Sequence, residues 1–254
     1  MSTGVALVTG AAGALGSIIA DELAARGWSL VLSGLPTDDC DAVAERLVAD
    51  HDGAQACVIP ADLREPSQIR RLVEEAVAWK GHLDCLVNNA GRPSRSSIAT
   101  ITVEEWEASL RVNLSAPMLL IQAFAANFRR DNGPGSIINM TSRTYASGGP
   151  VAYVSSKAGL VGLTRAAAYE FGPHGIRVNA VAPSLMDTPF TAGSRTDEEM
   201  AEYMARQAQA SALKRSPDLR EVATTVAFLA GRDSSFMTGE VVHVAGGLQL
   251  PPVF

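Results

Sequence analysis

Short apolar runs alternate along this chain with longer segments in which apolar residues recur every three or four positions. The runs contain four to six residues and are rich in Val, Ile, Leu and Ala, a composition that predicts buried strands. They lie at 4–8, 29–33, 56–60, 83–87, 136–140, 176–181 and 241–244. The periodic segments predict helices at 17–25, 41–49, 66–79, 151–171, 197–210 and 219–229, and a further long helix that begins at 102.

Regular alternation of strands and helices indicates an α/β fold, because parallel strands are joined by helical crossovers. We predict a single domain over residues 1–254, in which a doubly wound parallel sheet of about seven strands carries helices on both faces. No linker, repeat or low-complexity tract divides the chain. A polar stretch at 187–217 follows the sixth strand, and we expect it to form a mobile lid over a substrate cleft.

Local signals refine the predicted helices. Pro66 stands where a first helical residue tolerates proline. Thr102 followed by Glu105 predicts a capping box at the start of the long helix, and Pro117 predicts a bend in its middle.

A glycine-rich turn separates the first strand from the first helix. The segment Thr9–Gly16 reads Thr-Gly-Ala-Ala-Gly-Ala-Leu-Gly. Glycines in such a turn let backbone N–H groups approach a pyrophosphate, and the helix N-terminus favours its negative charge. A glycine-rich turn alone is a weak signal, but the strand before it and the helix after it favour a nucleotide site.

Composition narrows the class of function. The net charge of −6 and the pI of 5.3 argue against nucleic-acid binding, which calls for a basic patch. No apolar run approaches the roughly 18 residues that a membrane span needs, and we expect neither a membrane span nor a signal peptide. An odd number of cysteines without metal-ligand spacing predicts a reduced, cytoplasmic setting without disulfides or metal, and no motif joins the histidines: Cys40, Cys57, Cys85, His51, His82, His174 and His243.

One pair of residues suggests acid–base chemistry. Tyr153 and Lys157 stand four positions apart in a predicted helix, so their side chains lie on the same side. An ammonium near a phenol stabilises the phenolate and lowers the pKa of the tyrosine. Such a tyrosine exchanges protons with a carbonyl or alcohol near neutral pH. The same spacing is also typical of an exposed helix face, so the pair gains weight only from its surroundings.

Seven motifs in order make the chain resemble the short-chain dehydrogenase/reductase family, in its single-domain branch. The motifs are the Thr9–Gly16 turn, Asp62-Leu63, Asn88-Asn89-Ala90-Gly91, Asn113, Ser142, Tyr153 with Lys157, and Val178-Asn179-Ala180-Val181-Ala182-Pro183 before Thr188. The resemblance runs from Val5 to Gly247. It implies a Rossmann fold that binds NAD or NADP.

The resemblance also implies catalytic roles. Tyr153 would act as general acid/base on a substrate oxygen, and Lys157 would lower its pKa and bind the nicotinamide ribose. Ser142 would polarise the same oxygen, and Asn113 would position a water beside Lys157 in a proton relay. Each has a plainer interpretation, since Asn113 could satisfy a helix kink and Ser142 could be a loop hydroxyl.

Cofactor contacts follow from the same resemblance. Asp62 would bind the adenine amino group, and Thr188, which could instead be an N-cap, would lie near the carboxamide. The complete predicted set is Gly10, Gly13, Leu15, Gly16, Ser33, Gly34, Asp62, Leu63, Asn89, Ala90, Gly91, Tyr153, Lys157, Pro183, Leu185 and Thr188.

The end of the second strand bears on the choice of cofactor. A carboxylate there favours NAD, and a basic residue favours NADP. Gly34 occupies the carboxylate position and Leu35 the position where many NADP-binding relatives carry arginine. Because no basic residue lies in this run or in the glycine-rich turn, and Asp38 and Asp39 are close, we predict NAD, with NADP as the alternative.

Four positions depart from the family pattern. Ala14 stands where glycine is usual, while Gly13 occupies a variable place. Ser142 is slightly closer to Tyr153 than usual, which makes Thr141 an alternative to Ser142. Ser184 replaces a frequent glycine and Ala245 a frequent aspartate, and we expect both to affect packing alone.

The predicted substrate cleft is bordered by arginines. Arg92, Arg95 and Arg143 fall in loops near Tyr153, and Tyr145 offers an aromatic wall. Guanidinium groups suit a carboxylate, phosphate or polyol, although loop arginines are also commonly just solvated. We predict that Arg92, Arg143 and Tyr145 contact the substrate.

These observations predict an oxidoreductase that interconverts a secondary alcohol and a carbonyl compound. The alternatives are a related epimerase or dehydratase that retains NAD, and a nucleotide-binding scaffold without catalysis. The resemblance implies a homodimer or homotetramer, in which the helices from Thr102 and Val151 pack across a two-fold axis and the apolar tail 248–254 adds a second contact.

Overall fold

Seven parallel strands form one sheet in a computed structural model that describes residues 4–128, 133–193 and 195–250. Within these residues the strand order is β3-β2-β1-β4-β5-β6-β7, and each neighbouring pair is parallel. The strands are β1 (Gly4–Thr9), β2 (Trp28–Ser33), β3 (Ala56–Val58), β4 (Cys85–Asn88), β5 (Gly135–Met140), β6 (Ile176–Pro183) and β7 (Val241–Val244). The predicted α/β fold with a parallel sheet is therefore confirmed.

Helices connect the strands and cover both faces of the sheet. They are α1 (Ala14–Ala25), α2 (Cys40–Asp50), α3 (Pro66–Lys80), α4 (Val103–Leu110), α5 (Ala116–Asn127), α6 (Thr144–Ser147), α7 (Val151–Phe171), α8 (Pro189–Ala192), α9 (Asp197–Ala210) and α10 (Leu219–Ala230). A π-helical turn, Arg111–Ser115, joins α4 to α5. Among the described residues, no helix is long and apolar enough to cross a membrane.

Alternation along β1 shows how the two cores form. Ala6 and Val8 point to one face, where they pack with residues of α1 and α10. Val5 and Leu7 point to the other, where α3, α5 and α7 supply the partners. Because successive side chains of a strand project to opposite faces, a strand made only of apolar residues requires helices on both faces of the sheet.

The direction of chain progression reverses between β1 and β4. From β1 the sheet grows through β2 to β3 on one side, and through β4 to β7 on the other. Helical connections leave on opposite faces at this point and open a crevice at the carboxyl ends of the strands, where α/β proteins bind ligands. The predicted motifs at Thr9, Asn88 and Pro183 all lie at strand ends on this edge.

The long helix differs from a simple bend. Pro117 lies in the first turn of α5, and it has no amide hydrogen to donate to the carbonyl of Asn113, four residues earlier. The chain accommodates the missing bond with the π-helical turn, in which Ala116 N–H donates to Arg111 O. Asn113 therefore sits in a local irregularity of the kind that often marks functional sites.

The predicted capping box at Thr102 forms only in part. Thr102 Oγ1 accepts a hydrogen bond from Glu105 N–H at 3.2 Å. The Glu105 carboxylate turns away and accepts from the hydroxyls of Ser94, at 3.0 Å, and Ser96, at 2.6 Å. The expectation of a reciprocal box was wrong, because two loop hydroxyls compete for the carboxylate.

Two other boundaries depart from the sequence expectations or fall beyond the described residues. Strand β3 ends at Val58 rather than at Pro60, although Ile59 N–H still donates to Leu32 O. Pro60 has no amide hydrogen with which to continue the ladder. Of the apolar tail predicted to join an interface, positions 251–254 lie outside the described residues.

Candidate active site

The glycine-rich turn brings the backbone of β1 and α1 into close contact. Gly10 has a φ of +62°, a conformation that favours glycine. A Cβ atom at Gly16 would lie 2.1 Å from Gly10 O, so only glycine fits there. Gly13 N–H donates to Gly10 O, and α1 begins at the unusual Ala14, followed by Leu15. The turn thus closes tightly with alanine at position 14 and presents the N-terminus of α1 to the crevice.

Hydrogen bonds fasten the loop after β4 to this turn. Asn89 Nδ2 donates to Thr9 O at 3.0 Å and to Gly10 O at 3.2 Å. Thr9 Oγ1 accepts from the backbone N–H groups of Asn89 and Ala90, both at 3.1 Å. Gly91 follows, and a Cβ atom there would lie 3.7 Å from the ring of Phe190. The Asn89–Gly91 segment therefore lines the crevice beside the glycine-rich turn.

Two further predicted contacts lie at the ends of β2 and β3. Ser33 and Gly34 are buried where β2 ends. Asp62 follows β3, and its carboxylate is held by the guanidinium of Arg64, with an Nη2–Oδ2 distance of 2.5 Å. This arginine lowers the pKa of Asp62. Leu63 packs partly buried against the core beneath.

Tyr153 and Lys157 lie together on α7, as their spacing predicts. Lys157 Nζ is 5.6 Å from the centre of the Tyr153 ring and donates to Met140 O at 2.7 Å. Lys157 is almost completely buried. The hydroxyl of Ser142 lies close enough to Tyr153 to act on it by lowering its pKa. The pair and the serine thus meet where β5 ends.

Burial dominates the electrostatics of this group. It raises the pKa of Tyr153 to about 12, while the Ser142 hydroxyl acts in the opposite direction. Burial also lowers the pKa of Lys157 to about 8. The expectation that Lys157 lowers the Tyr153 pKa below its usual value is not met in the protein alone, because desolvation disfavours the charged form of both groups.

The geometry separates Ser142 from Thr141. Thr141 is buried, and its hydroxyl donates to Lys157 O at 3.0 Å. This hydrogen bond links the end of β5 to α7. Ser142 Oγ accepts from Thr144 Oγ1 at 3.0 Å and reaches Tyr153. Ser142 is therefore the hydroxyl that faces the tyrosine, despite its short separation in sequence.

Asn113 is fully buried in the π-helical turn. Its Oδ1 accepts from Arg92 N–H at 2.7 Å, and its Nδ2 donates to Arg92 O at 3.0 Å and to Ser156 Oγ at 3.1 Å. The side chain therefore ties α7 and the loop after Gly91 to the irregular helix. Pro117, which has no amide hydrogen, cannot give the main-chain carbonyl of Asn113 its usual helical hydrogen bond.

The segment after β6 folds over Tyr153. Pro183 ends β6, Leu185 follows, and Thr188 is buried at the N-cap of α8 without a side-chain cap bond. The ring of Phe190 lies 6.0 Å from the ring of Tyr153, centre to centre. Phe190 had no signal in the sequence beyond its place two residues after Thr188.

The arginines predicted to meet the substrate have different surroundings. Arg92 is exposed. Arg95 donates to the carbonyls of Phe190 and Thr191, at 3.1 and 3.0 Å, and so holds α8 in place. Arg143 donates to Gln207 Oε1 on α9 at 2.9 Å and to Ser147 Oγ at 3.1 Å. Only neutral groups bind the Arg143 guanidinium within the described part of the chain.

Tyr145 faces β7. Its hydroxyl lies 3.2 Å from His243 Nε2, and the two rings stack with centres 5.7 Å apart. His243 lines a cavity of about 220 Å³ together with Ser184, Leu213, Arg215, Pro217, Glu221, Val244, Ala245 and Gly246. Within the described ranges, no three metal-ligating side chains cluster.

Comparison with known proteins shows which families have a similar sequence. A family model described as enoyl-(acyl carrier protein) reductase matches residues 10–249. The 3-oxoacyl-(acyl-carrier-protein) reductase FabG of Staphylococcus epidermidis is 34% identical over 248 residues, covering 96% of this chain and 98% of that protein.

Solved structures agree with these sequence matches. A short-chain dehydrogenase/reductase of Mycobacterium marinum superposes with a TM-score of 0.89 at 29% identity, covering 98% and 97% of the two chains. RhlG of Pseudomonas aeruginosa in complex with NADP superposes with a TM-score of 0.88 at 29% identity, covering 98% of each chain. With the same order of motifs around one crevice, the chain belongs to the short-chain dehydrogenase/reductase family.

Proposed function

We propose that this protein is an NAD-dependent oxidoreductase that interconverts a secondary alcohol and a carbonyl compound. The observation that carries the proposal is the meeting of Tyr153, Ser142 and Lys157 at the carboxyl edge of the sheet. Family membership supports oxidoreduction with NAD or NADP. The substrate and the acid–base role of Tyr153 are part of the proposal.

The crevice fits a dinucleotide. The close approach at Gly16 and the left-handed Gly10 leave room for a pyrophosphate at the N-terminus of α1. In the proposal the remaining contacts come from Asn89–Gly91, Asp62, Pro183 and Thr188. Leu15, Leu63 and Leu185 keep their predicted place in the cofactor set. When bound, the nicotinamide supplies or accepts the hydride.

Tyr153 transfers the proton in this scheme. Its hydroxyl gives a proton to the carbonyl oxygen during reduction, and its phenolate takes the proton from the alcohol during oxidation. Ser142 donates a hydrogen bond to the same oxygen and stabilises the charge that develops on it. Because burial keeps Tyr153 protonated near neutral pH, the resting protein is poised as the acid.

Lys157 supplies positive charge next to the tyrosine. Its ammonium stabilises the phenolate that forms when Tyr153 gives up its proton. Asn113 holds the π-helical turn in place. Its main-chain carbonyl is the proposed contact for a water that returns a proton to Lys157. The relay thus depends on the helix irregularity as well as on the side chains.

The preference for NAD rests on the residues after β2. Gly34 and Leu35 offer no positive charge to a phosphate on the adenosine ribose, and Asp38 adds a negative one. The structurally similar RhlG was solved in complex with NADP. We therefore propose NAD for this chain from its own residues rather than from its relatives.

Substrate contacts are proposed for Arg92, Arg143 and Tyr145. Arg143 borders the crevice and carries a charge that only neutral described groups contact, which suits an anionic substrate. The Tyr145 hydroxyl lies 3.2 Å from His243 Nε2, so its ring is the part proposed to contact the substrate. FabG, by its name, reduces a 3-oxoacyl group, which supports screening 3-oxo compounds first.

Replacing Tyr153 by phenylalanine tests the proposal. Tyr153→Phe should lower turnover by about 10³-fold, because it removes the proton donor, while cofactor affinity measured by calorimetry stays within about twofold of the wild type. Ser155→Ala on the same helix is the matched control and should retain activity. Turnover that survives in Tyr153→Phe would refute the acid–base assignment.

Nicotinamide absorbance separates the alternatives. Net oxidation or reduction changes the absorbance as substrate is consumed, whereas an epimerase or dehydratase that retains NAD shows product without a net change. A scaffold would bind the nucleotide and form no product with any carbonyl or alcohol in the screen.

A further inference from the structure

The turn after β2 folds a carboxylate back onto Gly34. Asp38 Oδ2 accepts a hydrogen bond from Leu35 N–H at 2.8 Å, and Asp38 N–H donates to Leu35 O at 2.9 Å. A Cβ atom at Gly34 would lie 2.8 Å from Asp38 Oδ2 and 3.1 Å from Asp38 Cβ. The Asp38 side chain therefore fills the space that a side chain at position 34 would enter.

Position 34 is where this fold normally places its cofactor-selecting carboxylate. In dinucleotide-binding folds an acidic residue about 20 positions after the glycine-rich turn binds the ribose hydroxyls. Glycine at this position removes that side chain but also removes the obstacle to Asp38. Glycine at 34 and aspartate at 38 are thus complementary. The Asp38 carboxylate takes the place that a carboxylate on residue 34 would otherwise occupy.

We propose that Asp38, reaching back over Gly34, binds the adenosine ribose hydroxyls and selects NAD over NADP. The inference rests on the proposed function, because it assumes that the crevice holds a dinucleotide. Asp38 Oδ2 is bound to Leu35 N–H, and Oδ1 has no protein donor among the described residues. Oδ1 is therefore the oxygen that accepts from the ribose.

Charge makes the same carboxylate unfavourable for NADP. A 2′-phosphate would stand next to Asp38, and the segment 33–45 contains no lysine or arginine to compensate it. Arg64 is the basic residue nearest in sequence to the predicted adenine contact, and it is engaged with Asp62 through two guanidinium nitrogens. Like charges at hydrogen-bond distance repel strongly where water is partly excluded.

Asp39 provides a matched control. It carries the same charge one residue away, but its Oδ1 caps α2 by accepting from Ala42 N–H at 3.1 Å. Asparagine is also a good N-cap, so Asp39→Asn should retain the cap. Asp38→Asn likewise keeps an oxygen that can accept from Leu35 N–H, so the turn should survive both changes.

The experiment is calorimetric titration of wild type, Asp38→Asn and Asp39→Asn with NAD and with NADP, without substrate. Hydrogen bonds to charged groups contribute about 1.5–3 kcal/mol, which corresponds to roughly tenfold or more in affinity. We expect Asp38→Asn to weaken NAD binding about tenfold and to lower the NAD/NADP affinity ratio at least as much. Asp39→Asn should change the ratio less than about twofold.

The outcomes distinguish this inference from the proposed function. If the wild type prefers NAD and both variants keep its ratio, or both lower it equally, Asp38 does not select the cofactor and the inference falls alone. If the wild type prefers NADP, the selection of NAD by Asp38 is overturned, while binding of either nucleotide still supports a dinucleotide-dependent oxidoreductase. If neither nucleotide binds, both are overturned.

Discussion

At the scale of single residues, the buried lysine is the most unusual group in the crevice. Lys157 is buried with its ammonium on Met140 O, and burial lowers its pKa from 10.5 to about 8. Burying a charged ammonium lowers the stability of the folded protein, and this cost accompanies the placement of a cation beside Tyr153. The arrangement makes the stability of the protein depend on pH in a defined direction.

The direction in which stability changes with pH follows from the number of protons that the folded and unfolded states bind. Between about pH 8 and 10.5 the folded protein has released the Lys157 proton, whereas the unfolded chain still holds it. Because the unfolded state binds more protons there, stability rises with pH. Tyr153 acts oppositely above pH 10, since its folded pKa of about 12 exceeds the ordinary value of 10.0. Measurements of stability below pH 10 therefore report the contribution of Lys157 without that of Tyr153.

Lys157→Met should remove this dependence. Relative to the variant, wild-type stability should increase from pH 8 to 9.5 by at most about 1.4 kcal/mol per pH unit. Urea unfolding of the cofactor-free proteins at several pH values measures the difference. The exposed Lys214→Met is the control and should run parallel to the wild type. A constant gap between wild type and Lys157→Met would contradict burial of a charged lysine.

The residue scale also shows where sequence reasoning ends. The spacing of Tyr153 and Lys157 predicted that they share a helix face, because periodicity is local. The pKa values were not predictable, since they depend on how much protein surrounds each group. Asp38 is a similar case: its contact with Leu35 and its place over Gly34 arise from the fold of a turn, which residue identities alone do not specify.

At the scale of elements, prediction succeeded where start and stop signals were local. Helices α7 and α9 and strand β7 have the bounds expected from periodicity, and α9 begins with a complete capping box at Thr196 and Glu199. The π-helical turn and the partners of Glu105 were missed. The turn arises where Pro117 removes a helical hydrogen bond, and the Glu105 carboxylate is held by Ser94 and Ser96 of the loop after β4, which helical periodicity does not reveal.

The link between α6 and α9 gives an element-scale prediction. Arg143, just before α6, donates to Gln207 on α9, so one side chain both carries a charge and holds α9. If the charge binds the substrate, Arg143→Ala should raise the KM for a 3-oxo carboxylate by about tenfold or more. The KM for the methyl ester of the same compound should change far less.

Gln207→Ala separates the two roles. It removes the link to α9 and leaves the arginine in place, so it should affect the acid and the ester alike. Steady-state kinetics on both substrates measures the two ratios. Equal effects of Arg143→Ala on acid and ester, matched by Gln207→Ala, would show that Arg143 positions α9 and does not recognise an anion.

At the scale of the whole molecule, one face of α7 remains exposed. Small side chains line it at Ala158, Gly162 and Ala166, and Tyr169 follows with 90% of its surface exposed. Met118, on neighbouring α5, is also exposed. Small residues allow two helices to approach closely, which suits the two-fold packing of α7 that family resemblance implies.

Gly162→Arg should therefore disrupt a homodimer or homotetramer without disturbing the fold. Gly162 is exposed, and a Cβ atom there meets nothing within 4 Å among the described residues outside its own helix backbone, so a larger side chain can extend into solvent. It would, however, keep two copies of α7 apart. Light scattering after size exclusion should show oligomers for the wild type and for Gly162→Ala, which keeps the surface small, and smaller species for Gly162→Arg. Circular dichroism checks that each variant is folded. If Gly162→Arg retains the wild-type mass, α7 does not lie at the interface, and a folded monomeric wild type would remove the interface altogether.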